Sequence, residues 1–242
     1  MGAIDRLVLW NLDQTLLDVG RASRDAYADA FRRVTGRPLV SLPQQAGRSD
    51  SEIFFEALAL NDVPFGDIEV AGPELLARYF WELEPSFGLR QDQLAQSGNL
   101  LPGARQAVAA AAAMPGVVQA ALTGTIRPNA IAKLRAFGLD QYFDVELGGF
   151  GSDAYPRGSL VLMARNQAAE KFGPLSTVYI ADTRRDVEAA RVGGAASIAV
   201  ATGRDSVAEL REAGADFVLA GLADTAEVTA AIDRLTRVPA GR

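Results

Sequence analysis

Three features of the sequence predict an α/β fold, a doubly wound parallel sheet with an inserted all-helical domain. Short apolar runs alternate with helical patterns along most of the chain, the helices of that alternation stop at glycine, and residues 19–97 interrupt it with helices only. Alternation of this kind places helices on both faces of a parallel sheet.

Taken in order, the runs Leu7–Asn11, Val117–Thr123, Val145–Gly148, Val178–Asp182, Ser197–Ala201 and Asp216–Leu219 are expected strands. Val, Ile, Leu and Ala dominate them, mostly without apolar/polar alternation, which suits strands covered on both faces. Leu160, Ala164, Ala168 and Phe172 recur every four residues before Gly173-Pro174, and segments 127–137 and 205–213 end at Gly138 and Gly214, as helices do. Within the inserted block, Tyr27, Ala30, Phe31 and Val34 form a helical stripe closed by Gly36. Ile53, Phe54, Ala57 and Leu58 form a second, and Leu75, Leu76, Tyr79, Phe80 and Leu83 a third. Gly98 and Pro102-Gly103 mark the return, so residues 1–18 and 98–242 are expected as the core domain and 19–97 as a separate helical domain. The run Ala109–Ala113 is expected to be helical, Trp10 a buried strand residue and Trp81 part of the helical domain's core.

The 24 Lys and Arg against 30 Asp and Glu give a net charge of −6, which argues against nucleic acid as a partner. Cysteine and histidine are both absent. Disulfides, thiolate zinc sites, histidine ligation and Ser-His-Asp catalysis are thereby excluded, and any metal must be held by oxygen, which favours magnesium or calcium. The first ten residues, MGAIDRLVLW, hold an acid and no long apolar run, so no secretory signal is expected. Ala107–Ala113 is too short to span a bilayer. A cytoplasmic protein without a membrane partner follows as the expectation. The Leu/Phe-rich stripes would serve a dimer as well as a core, so monomer and homodimer both stay open.

Chemistry in an open α/β sheet belongs at the carboxyl ends of its strands. The first strand ends in Asn11, Asp13 and Thr15, the second in Thr123-Gly124, and the fourth in Asp182 and Asp186; Arg157 follows the third. Asp and Thr are common caps and turn residues singly. Together these form an oxygen-rich cluster with one cation, suited to Mg²⁺ and a phosphate.

With these motifs in order, the chain resembles the haloacid dehalogenase-like hydrolases, most closely their phosphoglycolate-phosphatase-like branch. The family's Asp-x-Asp-x-Thr stands here as Asn11-Leu12-Asp13-Gln14-Thr15, its strand-end Thr or Ser as Thr123, its Lys or Arg before a helix as Arg157, and its acidic pair as Asp182 and Asp186. The helical block lies where the family places its cap. The resemblance implies a Mg²⁺-dependent hydrolase of a small phosphorylated metabolite, acting through an acyl-phosphate. Asn11 then occupies the nucleophile's place, and Asp13 the acid–base position, with both projecting the same way from an extended strand end. Thr123 and Gly124 would bind phosphoryl oxygens, and Arg157 would neutralise charge. Asn11, the carbonyl of Asp13, and Asp182 would hold the metal, with Asp186 assisting. Thr15 would orient Asp13.

Asn11 is the main departure, because an amide is a poor nucleophile and a weaker ligand for a hard cation than a carboxylate. Impaired hydrolysis is therefore expected, with two alternatives: a catalytically silent phosphate-binding or regulatory protein on the same fold, and a dehalogenase-type hydrolase. Gln14 and Ala181 stand where the family usually has glycine. Asp50 is expected to cap a helix of the inserted block, and Arg48 beside it is a candidate contact for an anionic leaving group. Lys133 and Lys171 are expected to be solvated, and Gly148–Asp153 to be a loop that positions Arg157.

Overall fold

The first strand becomes the middle of the sheet because its side chains are apolar on both faces: Leu7, Val8, Leu9 and Trp10 are all fully buried. The computed structural model describes residues 3–64, 68–154 and 156–237. The elements begin with β1 (Arg6–Trp10), β2 (Leu17–Asp18), α1 (Gly20–Thr35), α2 (Asp50–Leu60), α3 (Ile68–Gly88) and α4 (Gln91–Ser97). They continue with β3 (Asn99–Leu100), α5 (Ala104–Ala112), β4 (Val117–Thr123), α6 (Arg127–Ala136), β5 (Gly149–Phe150) and α7 (Arg157–Phe172). They close with β6 (Ser176–Ala181), α8 (Arg184–Gly193), β7 (Ala196–Val200), α9 (Val207–Glu212), β8 (Phe217–Leu219) and α10 (Thr225–Thr236).

Strand order is β5-β4-β1-β6-β7-β8, with every pairing parallel. Leu7 and Leu9 pack with Leu160, Val161, Ala164 and Tyr179 on one face, and Val8 and Trp10 with Ala107, Val108 and Ile232 on the other. The Trp10 indole donates to Gln119 Oε1 at 2.7 Å, so its buried N–H is satisfied. The chain runs to one side of β1 and then to the other. The carboxyl ends of β4, β1 and β6 therefore flank the reversal of strand order, where a crevice opens.

Helices α1–α4 gather around an apolar cluster of Phe31, Phe54, Tyr79, Leu83 and Phe87, which Leu17 and Ile126 join from the sheet layer. The Phe54 and Tyr79 rings stack with centroids 4.0 Å apart. The chain leaves and re-enters the sheet layer through the antiparallel β2–β3 ribbon, where Asp18 pairs with Asn99. No helix among the described residues is long and apolar enough to cross a membrane.

Two expectations are corrected. Val145–Leu147 is a 3₁₀ turn, begun by Asp144, whose side chain accepts from Glu146 N; the strand is the two-residue β5 just after it. Trp81 is 78% exposed, because α3 turns Tyr79, Leu83 and Phe87 inward at fourfold spacing and Trp81 falls on the opposite side. Trp10 is buried as expected.

Candidate active site

β1 and β6 each end one residue before a polar side chain, so Asn11 and Asp182 stand together at the rim of the sheet. The Asn11 backbone N–H keeps a last ladder bond to Ile180 O at 2.9 Å. Its side-chain Nδ2 donates to Asp13 O at 2.9 Å, Asp182 Oδ1 at 2.9 Å and Thr15 Oγ1 at 3.2 Å. Thr15 in turn donates to Asp182 Oδ1 at 2.8 Å. Its hydroxyl thus serves Asp182 and Asn11, where the sequence suggested it would orient Asp13. Gln14 turns the loop with φ +62°, a left-handed conformation that costs a side-chain-bearing residue about 1–2 kcal/mol. That explains why glycine suits this position, and Thr202 Oγ1 steadies the turn by donating to Gln14 O at 2.6 Å.

The Asp13 side chain turns to α6 and the loop after β4. Its Oδ2 accepts from Lys133 Nζ at 2.6 Å and Thr125 Oγ1 at 3.1 Å, and Lys133 also donates to Thr125 at 3.0 Å. Lys133 is thus not solvated but 1% exposed, with its ammonium 5.4 Å from the centre of the Phe87 ring. Lys171 is half exposed and pairs with Asp144. Asp50 is also corrected. Ser49 is the N-cap of α2, in a capping box with Glu52, and Asp50 is the first helical residue. Its buried carboxylate accepts from Tyr27 Oη at 2.6 Å and Ile126 N at 2.8 Å, while its own N–H donates to Gly124 O at 2.8 Å. These bonds fasten α2 to the loop after β4. Burial raises the pKa of Asp50, and Tyr27, Lys133 and the Ile126 N–H oppose the rise.

Arg157 opens α7 and forms an ion pair with Asp186. Asp186 also accepts from Tyr179 Oη at 3.0 Å and is bonded to Thr183 Oγ1. Its carboxylate is thereby occupied by three neighbours. Arg157 donates to Arg48 O at 3.4 Å, whereas the Arg48 guanidinium turns to Glu56 in an ion pair on its own helical layer. Thr123 is buried, and its Oγ1 accepts from Thr125 N at 3.3 Å. Gly124 carries the closest approach of the two layers, since an added Cβ would lie 2.1 Å from Arg48 O and 2.7 Å from Arg157 Nη2. Gly124→Ala is expected to cost about 1–3 kcal/mol and to pry α2 from the sheet layer, which faster limited proteolysis of segment 37–49 would report.

Asp182 is pushed up to about 7, first by burial and then by Asp186, against the pull of Thr15, Asn11 and Arg157. A carboxyl with a raised folded-state pKa holds a proton that the unfolded chain has released. Its contribution to stability is complete below about pH 4 and is lost as pH rises through about 7. Asp182→Asn is therefore expected to flatten the fall in stability between pH 5 and pH 8 by about 2–4 kcal/mol, read by urea unfolding at both pH values.

Asn11, Asp13, Thr123, Gly124, Arg157 and Asp182 line one cavity of about 890 Å³, roofed by Tyr27, Arg48 and Asp50 of the helical layer. Lys133 and Thr125 line it as well; Asp186 does not. Among the described residues no three Asp or Glu side chains cluster to hold a metal. The Asp13 carbonyl, the Thr15 hydroxyl and one oxygen of Asp182 nonetheless all face the Asn11 amide nitrogen. The Asp13 carbonyl, the Asp182 carboxylate and, once the amide turns, the Asn11 amide oxygen are hard oxygens that fit a magnesium-like cation in kind.

The family model described as haloacid dehalogenase-like hydrolase matches residues 8–191. No curated protein matches the chain. Among solved structures, a hydrolase from Pseudomonas syringae superposes with a TM-score of 0.66 at 20% identity, covering 96% of this chain and 100% of that one. CbbY from Rhodobacter sphaeroides, solved in complex with phosphate, gives 0.62 at 21% identity over 91% of this chain and 96% of that one. A predicted phosphoglycolate phosphatase from Haemophilus somnus gives 0.59 at 19% identity, over 92% and 97%. At these identities the structures speak for the fold.

Proposed function

Since the chain belongs to the haloacid dehalogenase-like hydrolases, we propose that it takes a small organic phosphate monoester into the cavity between sheet and helical layer, with hydrolysis impaired at Asn11. The observation that carries this reading is the meeting of four distant segments, at Asn11 and Asp13, Thr123, Arg157 and Asp182, around one cavity. Thr123 and the neighbouring backbone N–H groups bind the phosphoryl oxygens, and Arg157 offsets their charge while Asp186 holds its guanidinium in place. Asp13, whose side chain lines the same cavity as Asn11, would give a proton to the leaving oxygen. Asn11 Oδ1, once turned inward, the Asp13 carbonyl and Asp182 would hold Mg²⁺, and the ion would then neutralise phosphoryl charge. Asp186 supports Arg157 instead of the metal.

The silent phosphate-binding alternative is favoured by one observation, the amide itself, which puts a donor where the reaction needs a nucleophile. Hydrolysis of p-nitrophenyl phosphate with and without Mg²⁺, by this chain and by Asn11→Asp, separates the readings. Turnover by the Asp variant supports a phosphatase scaffold weakened at one atom. Inactivity of both, with the fold intact by circular dichroism, removes the hydrolase.

A further inference from the structure

We infer that the N–H groups of the Asn11 amide stand in for the divalent cation: they bridge to the Asp13 carbonyl and the Asp182 carboxylate, so that end of the phosphate cavity is satisfied without metal. The inference rests on reading Asn11 and Asp182 as the cation end of that cavity. The geometry is specific about which way the amide faces. Nδ2 lies 2.9 Å from Asp13 O, 2.9 Å from Asp182 Oδ1 and 3.2 Å from Thr15 Oγ1. The Thr15 proton is committed to Asp182 at 2.8 Å, so Thr15 presents a lone pair to Asn11. All three neighbours therefore present lone pairs, and the two amide hydrogens serve the two nearer ones, Asp13 O and Asp182 Oδ1.

Turned the other way, Oδ1 would meet the carbonyl and the carboxylate with no proton between them. Buried acceptors in that arrangement lose their hydrogen bonds and repel. At residue 11, 5% exposed, water is a poor remedy. The two orientations of one amide thus belong to two exclusive states. Nitrogen inward satisfies the metal-free protein, and oxygen inward is satisfied only by a bound cation. A cation has to displace the NH₂ group, reverse the amide and accept a neutral ligand in place of a carboxylate. Magnesium, which sheds water reluctantly, gains little from that exchange. A carboxylate at position 11 reverses the balance, because two buried acids would then face each other about 3 Å apart and need a shared proton at low pH or a cation at higher pH between them.

Thermal unfolding and isothermal titration with inorganic phosphate, each in EDTA and in 5–10 mM Mg²⁺ (about ten millimolar at most, above ordinary sites' needs), test this. The expected result is a chain whose Tm moves by less than about 1 °C between the two conditions and whose phosphate affinity changes less than about twofold. Asn11→Asp is expected to lose about 5 °C or more in EDTA and to recover it in Mg²⁺. A Tm or phosphate affinity of the unaltered chain that rises with Mg²⁺ beyond these limits overturns the inference. Should the variant not fold, the two measurements on the unaltered chain still decide. Failure here is distinct from failure of the hydrolase reading: a Mg²⁺-responsive chain with an active Asp variant sinks only the substitution of amide for cation, and a Mg²⁺-indifferent chain with an inactive variant sinks only the hydrolase.

Discussion

Asn11→Asp is expected to raise the rate of p-nitrophenyl phosphate hydrolysis in Mg²⁺ by about 10³-fold or more, since removing a nucleophile from an assembled site typically costs that much. The substitution exchanges NH₂ for O⁻ in nearly the same volume, so packing at the end of β1 is retained. What changes is electronic. The amide nitrogen's lone pair is delocalised and its hydrogens point at Asp13 O and Asp182 Oδ1, whereas a carboxylate brings an oxygen able to attack phosphorus. Position 11 is otherwise equipped, with Asp13 two residues along the same edge, and Thr123 and Arg157 lining the same cavity. The gain has a condition. Two charges about 3 Å apart in a partly buried site repel by about 5–6 kcal/mol at an effective dielectric constant near 20, so the increase should vanish in EDTA. A variant that stays folded yet turns over no faster in Mg²⁺ than the parent would mean that residue 11 does not face the substrate phosphorus.

Much of this site was legible because its backbone is. Apolar runs ending in Asn11, Thr123 and Asp182 announce parallel strands, and parallel strands deliver their ends to one rim. Family membership and the helical cap follow the same logic. The third strand was misplaced because only Gly149 and Phe150 pair, and two residues carry no periodicity. Asp50 was taken for the cap although Ser49 and Glu52 stand three apart; that spacing was the available signal. Asp186 could not be ranked from sequence, since whether it turns to the cavity or to Arg157, Tyr179 and Thr183 depends on side chains from three elements. Lys133 is the most instructive miss. It lies on the inward stripe of α6 with Ala130 and Leu134, where a lysine is out of character. Its partner, however, lies 120 residues earlier in the chain, and no local pattern reports a contact at that range.

Replacing that ammonium gives the second large expected effect. Lys133→Met keeps an unbranched stem of similar volume under Phe87 and deletes the charge. Burial of a methionine in place of an ammonium is favourable in isolation. Against it stand two carboxylates that lose a cation. Asp13 has a side chain 38% exposed, so water can replace part of what Lys133 supplied, and Thr125 still donates to it. Asp50 has no such recourse: it is 2% exposed, its pKa is already raised by burial, and Lys133 is among the groups holding that rise in check. The net loss is expected to be about 2–3 kcal/mol at pH 8, below the range for a fully buried pair because Asp13 is partly solvated. It should shrink as pH falls, since a carboxyl whose folded-state pKa is raised contributes stability at low pH that is lost as pH rises through that pKa. Urea unfolding of parent and variant at pH 5 and pH 8 measures both quantities. Equal stability of the two proteins at both pH values would show that the cation under the helical layer is dispensable, and that Tyr27 and the Ile126 N–H hold Asp50 without it.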